Sequence, residues 1–104
     1  TTGEMTMKLQ MAGLLAALVG SGCALGYAND PQFQNWLSQA EAHCVPRYGA
    51  LPFATPQDRA QFENMSYQAY YHDLPKEIYA DRLKIIYSDR GLTVDCLASA
   101  FPRR

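Results

Sequence analysis

Hydrophobic and polar positions alternate with a helical period in the segment that follows residue 30. The apolar positions recur three or four residues apart and so share one helical face. They are Phe33, Trp36, Leu37, Ala40 and Cys44. Asp30 followed by Pro31 is typical of a helix start, since aspartate accepts from free backbone amides and proline tolerates the first turn. Pro46 cannot donate to the preceding turn, so the pattern predicts a first helix over residues 31–44.

A second helix is predicted over residues 56–72. It begins at the run Thr55-Pro-Gln-Asp58, a capping-box pattern in which the threonine and the acid can satisfy free backbone amides. This segment carries two apolar stripes on different sides. One contains Phe62, Met65 and Ala69, and the other contains Ala60, Tyr67 and Tyr71.

The remaining pattern predicts a third helix over residues 75–89 and a short last helix. The third helix has a broad apolar arc. Its members are Ile78, Tyr79, Leu83, Ile85 and Ile86. Gly91 is expected to end this helix by adopting a positive φ, and Thr93 is expected to cap the last helix, which stops before Pro102. The pattern therefore predicts an all-α fold, a small bundle of three to four short helices.

Arg82 interrupts the apolar arc, because its helical angle places it between Ile78 and Ile86. We expect its stem to lie along apolar surface while its guanidinium reaches a carboxylate such as Asp95. An anion-binding role for this arginine is the alternative.

The N-terminal segment has the outline of a secretory signal peptide. Lys8 precedes a run of 21 uncharged residues, from Leu9 to Asn29, whose middle is apolar. A retained membrane anchor is the alternative, but the run loses its apolar character beyond Val19. We expect residues 1–28 to act as a leader and residues 29–104 to form the helical domain.

Two cleavage positions fit this leader. Cleavage after Ala28 matches the ordinary small-residue pattern of signal peptides. Cleavage after Gly22 is the other possibility, because the stretch Val19-Gly-Ser-Gly-Cys23 resembles the lipobox of bacterial lipoproteins. That resemblance makes Cys23 a candidate for lipidation, which would tether the domain to a membrane. The two positions stay open on sequence grounds.

The three cysteines support this interpretation, since removal or lipidation of Cys23 leaves one pair. We expect Cys44 and Cys96 to form a disulfide, because an exported domain of this size gains stability from a cross-link. The alternative is a metal site that adds His43 and His72. Zinc sites of that kind usually contain a closely spaced ligand pair that is missing here, so neither metal nor cofactor is expected.

Composition narrows the function classes. The chain has 104 residues, a net charge of -1 and 18% charged residues, which fits one globular domain. Leaving out Glu4 and Lys8, which precede Cys23, the 10 acidic and 9 basic residues become 9 and 8, so nucleic-acid binding is not expected. Adjacent side chains on a helix point about 100° apart, so His72 and Asp73 do not form an acid-base pair. No catalytic residues are predicted, and an enzyme is not expected.

The second stripe of the second helix is the best indication of function. Tyr67 and Tyr71 either lie in the centre of the bundle or form a surface for a protein partner, where tyrosine is enriched. We expect a small exported bacterial protein, located in the periplasm or on the outer membrane, that acts as an interaction module of the cell envelope. The alternative is a structural envelope lipoprotein tethered through Cys23.

Overall fold

The computed structural model describes residues 26–103, and every regular element in that range is helical. The α-helices are α1 (Pro31–Tyr48), α2 (Pro56–Tyr70), α3 (Lys76–Ile86) and α4 (Gly91–Ser99). A 3-10 turn at Gly26–Asn29 precedes α1, and a second one at Ser88–Arg90 precedes α4. The predicted all-α bundle is confirmed for this range. Cys23 and most of the predicted leader lie outside the described residues.

Helix α1 begins as predicted but continues past its proline. The Asp30 carboxylate accepts from the backbone N–H of Phe33 at 3.0 Å, which caps the first turn. The expected end at residue 44 is wrong, since α1 runs through Pro46 to Tyr48. Pro46 lies in the last turn of α1. Its missing N–H removes one hydrogen bond of the helix, and because only two helical residues follow, this loss does not end the helix at residue 44. Gly49, at φ 100°, closes the helix by donating to the carbonyl of Val45 at 2.8 Å.

Helix α2 begins at the predicted cap and ends two residues early. The Asp58 N–H donates to Thr55 Oγ1 at 3.1 Å, while the Asp58 carboxylate accepts from the N–H of Ala54. His72 ends the helix because it adopts φ 65°, a left-handed conformation that is unusual for a residue with a side chain. The N–H of Asp73 then bonds back to the carbonyl of Gln68 at 2.8 Å, in the pattern of a Schellman cap.

The boundary between α3 and α4 differs from the expectation. Gly91 has φ -56° and is the first residue of α4, so its predicted positive φ is wrong. Thr93 is not a cap, because it lies inside α4 and is fully buried. Its hydroxyl donates instead to the carbonyl of Gly49 at 2.8 Å, which holds the loop after α1 against α4.

Helix α4 is the centre of the packing, since it contacts both α1 and α3, while α2 packs against α1 and α3. One buried cluster joins the four helices. Its largest fully buried members are Tyr79, Phe33, Phe62, Leu37, Leu83 and Leu97. No helix among residues 26–103 is long and apolar enough to cross a membrane.

Candidate interaction surfaces

The predicted disulfide between Cys44 and Cys96 is present. The two Cα atoms lie 5.8 Å apart, and the bond joins a buried position in the C-terminal part of α1 to the middle of α4. It closes a loop with a sequence separation of 52 residues. In the chain-entropy model, a loop of that length makes the bond worth about 4 kcal/mol.

The same bond removes the two cysteines from any metal site. His43 lies on the exposed side of α1, and His72 lies in the turn after α2. Within residues 26–103, no three side chains of the His, Cys, Asp and Glu type lie close enough together to bind a metal ion.

The predicted partner surface, Tyr67 and Tyr71, is partly buried. Of the opposite stripe, Phe62 and Ala69 are in the core and Met65 is partly buried. Tyr67 lies edge-on to the ring of Phe33, with the ring centroids 5.3 Å apart, and edge-on to Tyr71 at the same distance. The stripe is therefore neither a free surface nor a buried core, and its role as a partner surface stays a prediction.

Tyr71 is held by a hydrogen bond as well as by ring contacts. Its hydroxyl donates to Asp30 Oδ2 at 2.5 Å, which links the end of α2 to the residue that caps α1. This bond is the main cause that raises the pKa of Tyr71 to about 12. It is also the main cause that lowers the pKa of Asp30 below its usual value, with the N–H of Phe33 adding to the effect.

Further aromatic side chains continue from this stripe and form what we call the aromatic end. Its members are Phe33, Trp36, Tyr70 and Phe101. Trp36 stacks on Phe101 with centroids 4.6 Å apart, and its indole N–H donates to the carbonyl of Ala100 at 2.8 Å. These contacts connect α1 and α2 to Ala100 and Phe101, so they hold the segment that follows α4 against the bundle.

An ion-pair network that sequence reasoning missed links α1 to α2. The Arg59 guanidinium makes two bonds to Glu41, at 2.6 and 2.9 Å, and a third to Glu63 at 2.7 Å. Arg59 Cζ also lies 5.4 Å from the ring centroids of Phe53 and Phe62, which is a distance typical of cation-π contacts. The hydrogen bonds to Glu41 are the main cause that raises the pKa of Arg59. The spacing of Arg59 and Glu63 is a sequence signal for a helical pair, but the contact with Glu41 depends on how the helices pack.

The most exposed apolar side chains of α3 lie together on its outer side. Ile78, Ile85 and Ile86 are 40%, 81% and 52% exposed, although they belong to the predicted apolar arc. Only Tyr79, Ala80 and Leu83 of this helix face the core. Residues four and seven positions apart share a helix face, so these isoleucines form one patch with Arg82. We call these four residues the isoleucine surface.

Arg82 differs from its expected role. It is exposed, and in the described part of the chain no hydrogen bond or ion pair involves its guanidinium. The carboxylate of Asp95, its expected partner, is bound instead by Lys84 Nζ at 2.7 Å. Asp81 is also exposed and lies by helical angle on the flank of the patch next to Ile85. The isoleucine surface thus has a cation within it, between Ile78 and Ile86, and a carboxylate on one flank.

Comparison with known proteins identifies no relative, since no protein-family model, curated protein or solved structure matches this chain.

Proposed function

We propose that this chain is an exported interaction module of the bacterial cell envelope, and that it binds a protein partner through the isoleucine surface. The observation that carries this proposal is the exposure of three isoleucines on one helix face. Export is supported by the predicted leader and by the disulfide between Cys44 and Cys96, because such bonds persist in oxidising compartments.

The apolar patch supports binding because its three isoleucines share one face of α3. Single exposed hydrophobic residues are common on soluble proteins, whereas grouped ones mark interaction sites. Ile85 is the most exposed of the three, at 81%, and is the natural centre of a contact. Arginine is also enriched in binding hot spots, where its long stem adds apolar contact and its charge adds specificity.

The charges of the patch define the partner. Arg82, within the patch, favours an acidic group on the opposing surface, and Asp81, on one flank, favours a basic group. The partner is therefore a protein surface with aliphatic side chains around one acidic side chain and with a basic side chain at one edge. This arrangement also fixes the orientation in which the partner binds, since the opposite orientation places like charges together.

The predicted surface at Tyr67 and Tyr71 is a second candidate for the same function. Both tyrosines keep some exposure, but their rings and the Tyr71 hydroxyl already contact other parts of the chain. A partner there would have to add to these contacts or replace them. The isoleucine surface needs no such rearrangement, and we prefer it for that reason.

The test compares charge-introducing variants in a capture experiment from envelope extract. Ile85→Glu should abolish capture of the specific partner, because it places a carboxylate at the centre of the apolar patch. Arg82→Glu should weaken capture at least tenfold, while Arg82→Lys should keep part of it. Ala42→Glu is the matched control, since it adds the same charge at an exposed position on α1.

The partner itself gives a second readout. A captured protein should lose binding when one acidic residue on its surface is reversed, and regain it with Arg82→Glu. Loss of capture in Tyr67→Ala and Tyr71→Ala, with none in Ile85→Glu, would move the binding site to the tyrosines. Self-association abolished by Ile85→Glu would make a second copy the occupant. Capture that no variant changes would contradict the proposal and favour a structural lipoprotein tethered through Cys23.

A further inference from the structure

The 3-10 turn at Gly26–Asn29 is packed against the helical domain, although three of its four residues belong to the predicted leader. Tyr27 is partly buried and packs against the core cluster. Its ring lies edge-on to that of Tyr67, with the centroids 6.4 Å apart. The carbonyl of Tyr27 accepts from Gln34 Nε2 at 2.8 Å, which ties the turn to α1.

Gly26 also lies beside Tyr67 of α2. A methyl group added at this glycine would lie 3.3 Å from Tyr67 Oη and 3.6 Å from the ring, which leaves little room for a larger residue. The backbone of the turn therefore passes beside Tyr67. A ring contact, a carbonyl hydrogen bond and the position of Gly26 beside Tyr67 together fit this short segment to the surface of the domain.

We propose that cleavage of the leader takes place upstream of Gly26, so that the mature chain keeps Gly26–Asn29 as part of its folded domain. A leader that is removed before the domain folds cannot contribute to its packing, whereas these residues do contribute. Of the two predicted positions, only the bond between Gly22 and Cys23 lies upstream. Its hydrolysis adds the hydroxyl of a water molecule to the Gly22 carbonyl carbon and a proton to the Cys23 amine. The inference rests on the proposed export.

Cleavage after Ala28 would have a different structural result. It would remove Tyr27 from Tyr67 and take away the carbonyl that Gln34 binds, so the tyrosine stripe would become more exposed. Cleavage after Gly22 leaves Tyr27 packed against Tyr67. It also leaves three residues before Gly26, which span at most about 10 Å, so a tether at Cys23 would hold this end of the bundle close to the membrane.

Processing of the full chain in its native bacterium tests the inference with a matched pair of variants. Signal peptidases require a small residue immediately before the cut. Gly22→Leu should therefore stop processing, with at least a tenfold fall in the mature fraction. Ala28→Leu should leave the mature fraction unchanged. The opposite result, with only Ala28→Leu blocking processing, would overturn the inference.

Intact mass and N-terminal sequence of the wild-type protein from envelope extract give the second measurement. A mature chain that begins at Cys23 supports the inference, and added acyl mass on that residue would show the lipidated form. A chain that begins at Asn29 overturns the inference but leaves the proposed export intact. Uncut chain recovered from the cytoplasm would overturn both, so the two failures are distinguishable.

Discussion

The aromatic end and the isoleucine surface show how differently two apolar regions of one small bundle are used. Phe33 and Trp36 contact rings from α2 and from the segment after α4, and the Trp36 N–H finds a backbone carbonyl. Ile78 and Ile85 stand on the outer side of α3, which meets no other helix among residues 26–103, and they remain exposed. Apolar periodicity indicated Phe33 and Trp36 on α1 and the isoleucines on α3 in the same way, so periodicity alone does not distinguish a core from a surface.

The chemistry of the side chains explains part of this difference. Tyrosine and tryptophan combine a large apolar area with a polar group, so they can connect segments through ring contacts and a hydrogen bond together. Tyr71 and Trp36 both do so, and as a result they hold the chain's own segments. Isoleucine has no polar group and contributes only through burial. Exposed isoleucines therefore become stabilising only when a partner covers them.

The largest expected effect is the difference in stability lost when a side chain is truncated in each of the two regions. Phe33→Ala should destabilise the domain by about 3 to 5 kcal/mol, since it creates a cavity at a fully buried ring. Ile85→Ala should change stability by less than about 0.5 kcal/mol, because this side chain is mostly in water. Urea unfolding followed by circular dichroism measures both variants. Equal losses would show that the isoleucine surface belongs to the core.

The disulfide provides the second prediction, because it joins α1, which carries the aromatic end, to α4, which packs against α3. Replacing Cys44 and Cys96 together by alanine should cost about 4 kcal/mol. Fluorescence of Trp36, the chain's single tryptophan, reports on the aromatic end during unfolding. In the wild type under increasing reductant, this signal and binding through the isoleucine surface should be lost together. Separate losses would show that the two regions unfold independently.

The smallest effect concerns the Tyr71–Asp30 hydrogen bond. Because the pKa of Tyr71 is raised to about 12, its stabilising contribution is complete below the unfolded value near 10 and is lost as the pH rises through 12. Because the pKa of Asp30 is lowered, its contribution is complete above about pH 4 and is lost as the pH falls through the folded pKa.

Tyr71→Phe removes this hydrogen bond and keeps the ring, so it should lower the melting temperature by a few degrees. The difference from the wild type should be constant between about pH 4 and 10 and should shrink outside that window. Thermal unfolding across this pH range gives the measurement, and Tyr48→Phe is the control for the loss of an exposed hydroxyl. A difference that stays the same above pH 12 would mean that the bond with Asp30 adds no stability.

Local signals in the sequence determined where α1 and α2 begin and which helices the disulfide links. Asp30 and Thr55 cap α1 and α2 as expected, because a cap is a contact between residues three positions apart and needs no tertiary context. The pairing of Cys44 with Cys96 followed from counting, since only two cysteines remain after the predicted leader. The periodic apolar positions also identified the fold class, because helices of this length need one buried face.

Only the tertiary structure decided which apolar faces are covered and how the helices end. Thr93 binds a carbonyl in the loop after α1, and Arg59 binds Glu41 on a neighbouring helix, so neither contact can be read from local spacing. The exposure of Ile85 depends on the absence of a neighbouring helix over that side of α3 within the described residues. A helical period shows that one face of a helix is apolar. Whether another helix, a loop or solvent covers that face depends on the three-dimensional arrangement of the other elements.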